Sequence, residues 1–332
     1  MKAFFVALAL ASICLPVEAE EFLERYNVDI TETTMSGLSS GAFMAHQLDL
    51  AQWDIVGGVA LIAGGPYRCS KGRLTFAVDK CMQPNIDGGP DAQESLRMAL
   101  EAERKGLIPP LSNLVDDKVY IFSGTLDSTV TPVASIALRN LYNRMGVKQI
   151  EYSGSVPAGH AMVTHDYGND CASSKSPFIV DCDIDGAGDI LAHLVGGLKP
   201  KSESLTGRIV EFGQAEFARI PEAISMAETG YVFVPQACAE GEPCRLHVSL
   251  HGCHQNVASI GMKYITDTGF LPWADSNNIV VLFPQTVARY DVALLNPNAC
   301  WDWWGYSGDR NYATRYGHQI IAIRSMIDRI AQ

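Results

Sequence analysis

The chain has 332 residues, 47% hydrophobic and 19% charged, a balance that excludes an unstructured polypeptide because so much apolar surface collapses into a core. Its 25 Lys and Arg against 37 Asp and Glu give a net charge of −12, which argues against nucleic acid, whose phosphates need a basic face. The length fits one large domain or two ordinary ones, and no stretch reaches the roughly 18–20 apolar residues that span a bilayer.

Residues 1–19 predict a signal peptide: Lys2, an apolar run from Phe4 to Leu15, then Val17 and Ala19 as small residues before a cut. A lipoprotein reading through Cys14 is disfavoured because Ile13 stands where a small residue is expected. Removal of this segment leaves the net charge at −12 and reduces nine cysteines to eight. An even count in a secreted chain reads as a disulfide framework. Short separations pair Cys69 with Cys81, Cys171 with Cys182 and Cys238 with Cys244, leaving Cys253 for Cys300 by elimination.

The first chemical signal follows an extended run from Val28 to Met35. Gly37-Leu38-Ser39-Ser40-Gly41 leads into a helical stretch from Gly41 to Leu50, the strand–turn–helix setting of a nucleophile elbow. The bland alternative is a turn whose Ser39 merely caps the helix. A strand at Ile55–Ile62 precedes a looser excursion, 66–117, in which Gln93–Gly106 reads as helix. The strand Val119–Phe122 then ends in a turn tipped by Asp127, and Pro132–Met145 reads as the next helix. After the strand at 149–152 comes Pro157-Ala158-Gly159-His160-Ala161. Serine as nucleophile, histidine as base and aspartate as its orienter are the types that acyl transfer needs. The order Ser39, Asp127, His160 is the one found in α/β-hydrolases. His165 competes for the base, but His160 lies directly after the strand.

A second excursion, 165–228, carries Asp181-Cys182-Asp183-Ile184-Asp185-Gly186, which looks like the start of a calcium loop. The twelfth position is Ala192 rather than the closing Glu, and an acidic start to the helix Ala187–Leu194 explains the pattern as well. Strands follow at Tyr231–Val234, Leu246–Leu250 and Ile279–Phe283, and a terminal helix at Tyr316–Ile330. Strands alternating with helices predict an α/β fold with a mostly parallel sheet covered on both faces, in one catalytic domain spanning 20–332.

The oxyanion loop of a hydrolase normally precedes its nucleophile, yet nothing upstream of Ser39 supplies one. Instead His251-Gly252-Cys253-His254-Gln255 follows a strand far downstream. That order predicts a circular permutation, with an oxyanion hole built from the amides of Ser40 and Cys253. His247, His251 and His254 do not complete a zinc site, so neither metal nor cofactor is expected. The proposed Cys253–Cys300 bridge brings Trp301, Trp303 and Trp304 beside the loop as candidates for the substrate cleft, against the commoner reading of a tryptophan as core.

Taken together these segments resemble the extracellular poly(3-hydroxybutyrate) depolymerases of the single-domain, circularly permuted type. The resemblance covers the chain beyond the signal segment. It rests on Ser-Gly-Leu-Ser-Ser-Gly-Ala around Ser39, Gly-Thr-Leu-Asp-Ser-Thr-Val around Asp127 and Pro-Ala-Gly-His-Ala around His160. Asp-Gly-Ala-Gly at 185–188, Ala-Glu-Thr-Gly-Tyr-Val-Phe-Val-Pro at 227–235, Leu-His-Gly-Cys-His-Gln at 250–255 and Cys-Trp-Asp-Trp-Trp-Gly-Tyr at 300–306 add to it. It implies a serine hydrolase acting on esters of a short-side-chain polyester or oligoester, with tryptophans in the cleft. Many bacterial relatives carry a linker and a polymer-binding module after the catalytic domain; this sequence stops at its terminal helix, so adsorption would fall to an exposed apolar patch. A feruloyl or acetyl-xylan esterase is the alternative enzyme. A non-catalytic secreted binding protein on a hydrolase scaffold is the alternative of another class. Extracellular or periplasmic location, a monomer, and no nucleic-acid or membrane partner complete the expectations.

Overall fold

A computed structural model describes residues 22–52, 54–84, 88–292 and 294–332; the expected signal segment, 1–19, lies outside them. Eight strands form the central sheet: Thr33–Leu38 (β1), Val56–Ile62 (β2), Lys118–Phe122 (β3), Gln149–Ser153 (β4), Arg208–Gly213 (β5), Thr229–Val234 (β6), Arg245–Leu250 (β7) and Ile279–Phe283 (β8). Their spatial order is β4-β3-β2-β1-β7-β8-β6-β5. The first six in that order run parallel, and β6 and β5 close one side antiparallel. β5 lies in the segment that sequence alone reads as an excursion. Its Arg-Ile-Val-Glu-Phe-Gly alternates because it is an edge strand with one half-solvated face, a weaker signal than the continuous apolar runs of the interior strands.

Period-two alternation sorts the strand side chains into two cores. Val59, Leu61, Val119, Ile121, Val280 and Leu282 face one layer. Ala60, Ile62, Tyr120, Phe122, Val281 and Phe283 face the other. The first layer holds the helices Ser40–Ala51 (α1), Ala92–Arg104 (α2), Pro132–Met145 (α3) and His318–Ile330, while the second holds Gly186–Leu194 (α4). The architecture is therefore three-layered α/β. The terminal helix, α5, shows the expected spacing: Ile320, Ile323, Ile327 and Ile330 are all fully buried.

All twelve residues of α1 are buried, so this helix has no polar face to solvent. Its polar side chains are held internally: Gln47 Nε2 donates to the carbonyls of Asp302 and Tyr312, and His46 Nδ1 lies 2.8 Å from the Tyr142 hydroxyl. That hydroxyl donates to Asp49 Oδ2 at 2.7 Å, and burial raises the Asp49 carboxyl well above the usual carboxylate range. At the ends of the described chain, the Tyr26 amide donates to the Ile330 carbonyl at 2.8 Å. Four disulfides join Cys69–Cys81, Cys171–Cys182, Cys238–Cys244 and Cys253–Cys300. None of the described helices is long and apolar enough to cross a membrane.

His247 in β7 is fully buried, with Thr34 Oγ1 and Ser36 Oγ of β1 each 2.8 Å from one ring nitrogen. Burial pushes its pKa down to about 3. In the unfolded chain the ring takes a proton below about pH 6.5, so its contribution to stability is complete above that value and lost as pH falls toward 3. His247→Gln is therefore expected to destabilise the protein at pH 7 and to narrow its deficit by about 2 kcal/mol at pH 5. Urea unfolding at the two values measures it, and a pH-independent deficit would contradict it.

Candidate active site

The site forms where β1, β3, β4 and β7 end on the same edge of the sheet. Ser39 stands between β1 and α1 at φ 56° and ψ −120°, a strained backbone of the kind stored at functional turns. Its amide donates to the Ile62 carbonyl at 2.9 Å, and its carbonyl accepts from Phe43 N–H at 3.0 Å. The flanking glycines are required by close backbone contacts. A Cβ at Gly37 would lie 2.2 Å from the Gly41 carbonyl group, and one at Gly41 would lie 2.1 Å from the Leu250 oxygen.

Asp127 and His160 meet at the tips of the β3 and β4 loops. Asp127 Oδ2 lies 2.7 Å from His160 Nδ1, while Oδ1 accepts the Thr129 and Val130 amides. A carboxylate accepting at Nδ1 fixes the ring proton there and leaves Nε2 as the acceptor. The two loops are bound together by Thr125 N–H to Val156 O and Leu126 N–H to Ala158 O. Farther along, Gly159 N–H donates to Cys171 O and His160 N–H to Ser174 Oγ, which anchors the histidine to the segment stapled by Cys171–Cys182. The Ile179–Asp181 strand of that segment pairs with Met162–Thr164 and Asn169–Asp170 in a small sheet.

Ser39 and His160 line one cavity of about 360 Å³. Among the described hydrogen bonds none joins Ser39 Oγ to the ring, and catalytic contacts of this kind often tighten only with substrate. Gly252, Cys253, His254 and Gln255 form the wall facing Ser39. Neither the Ser40 nor the Cys253 amide donates to an acceptor among the described residues, which leaves both free for an oxyanion. Gly252 is confined as well: a Cβ there would sit 3.4 Å from Ser39 Cβ and 2.8 Å from Gln255 Oε1.

The rest of the wall is mostly apolar. Trp303 stacks on Phe43 with ring centroids 3.9 Å apart, and Trp304 meets Trp303 edge-on. Both tryptophans line the cavity. Trp301 does not. It is fully buried, with Nε1 donating to the His251 carbonyl at 2.9 Å, so the expectation that it faces substrate is corrected: successive odd positions of an extended stretch diverge once the chain turns at Asp302, whose Oδ1 accepts the Gly305 and Tyr306 amides. Leu74, Ala77, Val78 and Met82 supply a second wall, and Leu295 to Asn298 a third. Sequence reasoning missed both, the first inside the excursion 66–117. Its clue is the Cys69–Cys81 pair, which frames the wall and packs beside Phe43 and Trp303. His165 stays outside the constellation: the Asp127 carboxylate is taken by His160.

The acidic segment near 181 serves the fold. Asp185 caps α4 by accepting the Gly188 amide and also takes Lys201 Nζ and Trp273 Nε1. No group of three or more metal-ligating side chains is gathered among the described residues.

No family model matches the chain. It is 41% identical over 321 residues to a poly(3-hydroxybutyrate) depolymerase of Delftia acidovorans, covering 95% of this chain and 63% of that protein, so it spans less than two thirds of that relative. It is 35% identical over 345 residues to a polyhydroxybutyrate depolymerase of Talaromyces funiculosus, covering 99% of this chain and 96% of the relative. The crystal structure of a PHB depolymerase from Penicillium funiculosum superimposes with a TM-score of 0.86 at 34% identity, over 94% of this chain and 99% of that one. A PHB depolymerase S39A variant complexed with an R3HB trimer gives a TM-score of 0.85 at 33% identity over the same shares.

Gly41→Ala is expected to cost several kcal/mol, since its Cβ would overlap backbone that no side-chain rotation can move. Thermal unfolding checks this, and an unchanged Tm would refute the close approach.

Proposed function

The chain belongs to the poly(3-hydroxybutyrate) depolymerase family, and from that premise we propose that it is a secreted serine esterase hydrolysing poly(3-hydroxybutyrate) or its oligomers. Ser39 Oγ attacks the ester carbonyl while His160 Nε2 takes its proton. Asp127 holds the ring in the tautomer that makes Nε2 the base and stabilises the imidazolium that forms. The tetrahedral oxyanion is held by the Ser40 and Cys253 amides, each worth a few kcal/mol of barrier. As the ester C–O bond breaks, His160 returns the proton to the leaving alkoxide oxygen. Water repeats the sequence on the acyl-enzyme to release the hydroxyacid.

The observation that carries this reading is the 2.7 Å His160–Asp127 bond opening onto the same cavity as the strained Ser39 turn. The mostly apolar walls, with Phe43, Leu74, Val78, Trp303 and Trp304, suit the methyl-bearing backbone of a short-side-chain polyester. Four disulfides support location in an oxidising compartment, extracellular or periplasmic. Residues 20–332 are read as a single catalytic domain acting as a monomer. The connectivity is read as a circular permutation: β1 lies in mid-sheet, the chain first fills one side and then the other, and the Tyr26–Ile330 bond brings the ends together.

Ser39→Ala is expected to lower hydrolysis of a short-chain chromogenic ester by more than ~1000-fold with the fold intact. The wild-type protein should clear a polyhydroxybutyrate suspension and leave acetylated and feruloylated xylan uncleaved. Activity retained by the variant defeats the serine mechanism, and preference for xylan esters defeats the substrate assignment.

A further inference from the structure

The cleft is an uncharged opening in an acidic molecule. The chain carries a net charge of −12, yet no Asp, Glu, Lys or Arg is among the described residues that line the cavity. Two titratable side chains do line it: His160, whose Nδ1 is committed to Asp127, and His254 on the wall facing Ser39. The cations next to the Leu74 wall are engaged outside the cavity, Lys71 with Glu94 and Arg73 over the Phe76 ring.

His254 differs from the histidines of the core. His46, His247 and His251 are buried, each with its ring hydrogen-bonded. The His254 ring is exposed and has no hydrogen-bond, ion-pair or ring partner among the described residues. Its backbone, by contrast, is held firmly. The His254 amide donates to the Asn298 carbonyl at 2.8 Å, and the preceding residue is bridged to Cys300. At φ 60° it stands in the left-handed region, which histidine adopts more readily than most residues. A pinned backbone that presents an unpaired polar ring to a cleft suits a ligand-binding group better than a support for the fold.

A linear hydroxyacid ester has a hydroxyl at one end and a carboxylate at the other. When Ser39 takes the acyl half, the alcohol half leaves and carries that carboxylate with it. The Asp127 carboxylate and the developing oxyanion already place negative charge at this site, so a further carboxylate needs a donor or a cation to face. An imidazole donates one N–H when neutral and two when protonated, and a carboxylate accepts from either form. We propose that His254 binds the terminal carboxylate on the alcohol half of a hydroxyalkanoate oligomer, so that free-acid oligomers are preferred to the same oligomers capped as esters. The inference rests on the esterase reading above and deepens it. The interior of a polymer offers no carboxylate, so the residue acts on soluble chain ends.

The test is kcat/KM for the ester bonds within a hydroxybutyrate trimer, supplied as the free acid and as its methyl ester, with products resolved by mass. Wild type, His254→Asn and His254→Asp are compared. Asn and Asp tolerate the left-handed backbone that His254 occupies, so the loop keeps its path. Wild type is expected to prefer the free acid by about tenfold, the scale of one hydrogen bond to a charged group. His254→Asn should bring the ratio to within about twofold of one. His254→Asp should invert it, because a second carboxylate repels the first. Damage to the His-Gly loop would lower both rates alike and leave the ratio at its wild-type value, and that result overturns the proposal. Equal wild-type rates on the two trimers overturn it too while the esterase reading stands. Cleavage of neither trimer by wild type defeats the polyester reading and this inference with it. Calorimetric titration of Ser39→Ala with each trimer gives an answer even where the His254 variants do not fold. The free acid should bind about tenfold more tightly, and equal or weaker binding overturns the proposal.

Discussion

Backbone contact between the turn after β1 and the end of β7 is the constraint on which the rest of the site depends. A Cβ at Gly41 would collide with the Leu250 and His251 oxygens and one at Gly37 with Gly41, while one at Gly252 would touch Ser39 Cβ at 3.4 Å. The missing Cβ of Gly41 lets the serine turn lie against the end of β7, and that of Gly37 lets the turn close on itself. The parallel pairing of β1 with β7, Gly37 beside Leu250, delivers the two segments to the same level of the sheet. Strain at Ser39 is sustained because α1 behind it is enclosed on every side and has nowhere to relax.

Around that contact, the polar groups divide by burial. His46, His247 and His251 are stripped of water, and burial depresses the pKa of each, to about 3, 3 and 4 respectively. They act as neutral hydrogen-bonding struts rather than as acids or bases. His160 differs in having a carboxylate at Nδ1 and an open cavity at the other side of the ring. The same residue type thus stands both inside the framework and at the cavity, and the environment of each ring sets its hydrogen-bonding role.

Three of the four disulfides border the cleft. Cys69–Cys81 packs against Phe43 and Trp303, Cys171–Cys182 staples the segment anchoring His160, and Cys253–Cys300 ties the His-Gly loop to the tryptophan stretch. Only Cys238–Cys244 is remote from the site, closing the connection between β6 and β7. The 74–82 wall is a short helical piece, α over Leu74–Phe76 and π over Ala77–Met82, whose last turn is tied back by the Cys69–Cys81 bridge.

Much of this was legible in the sequence because it depends on local rules. Apolar runs with turn signals marked β2, β3, β7 and β8, and Ser39, Asp127 and His160 each lay just past such a run, where parallel strands end together. The edge strand β5 was not legible: half of it faces water and its pairing partner determines it. Nor was the fate of the three tryptophans. Trp301 turned inward to bond the His251 carbonyl while Trp303 and Trp304 turned to the cavity, a choice made by the Asp302 turn and by what each ring finds to pack on. The amino-acid order by itself determined which chemistry-bearing residues follow which strands, since strand periodicity, turn glycines and cysteine spacing are properties of near neighbours. Only the tertiary structure decided how the His-Gly loop sits against the serine turn and which side chains wall the cleft, because those depend on contacts between segments far apart in the chain.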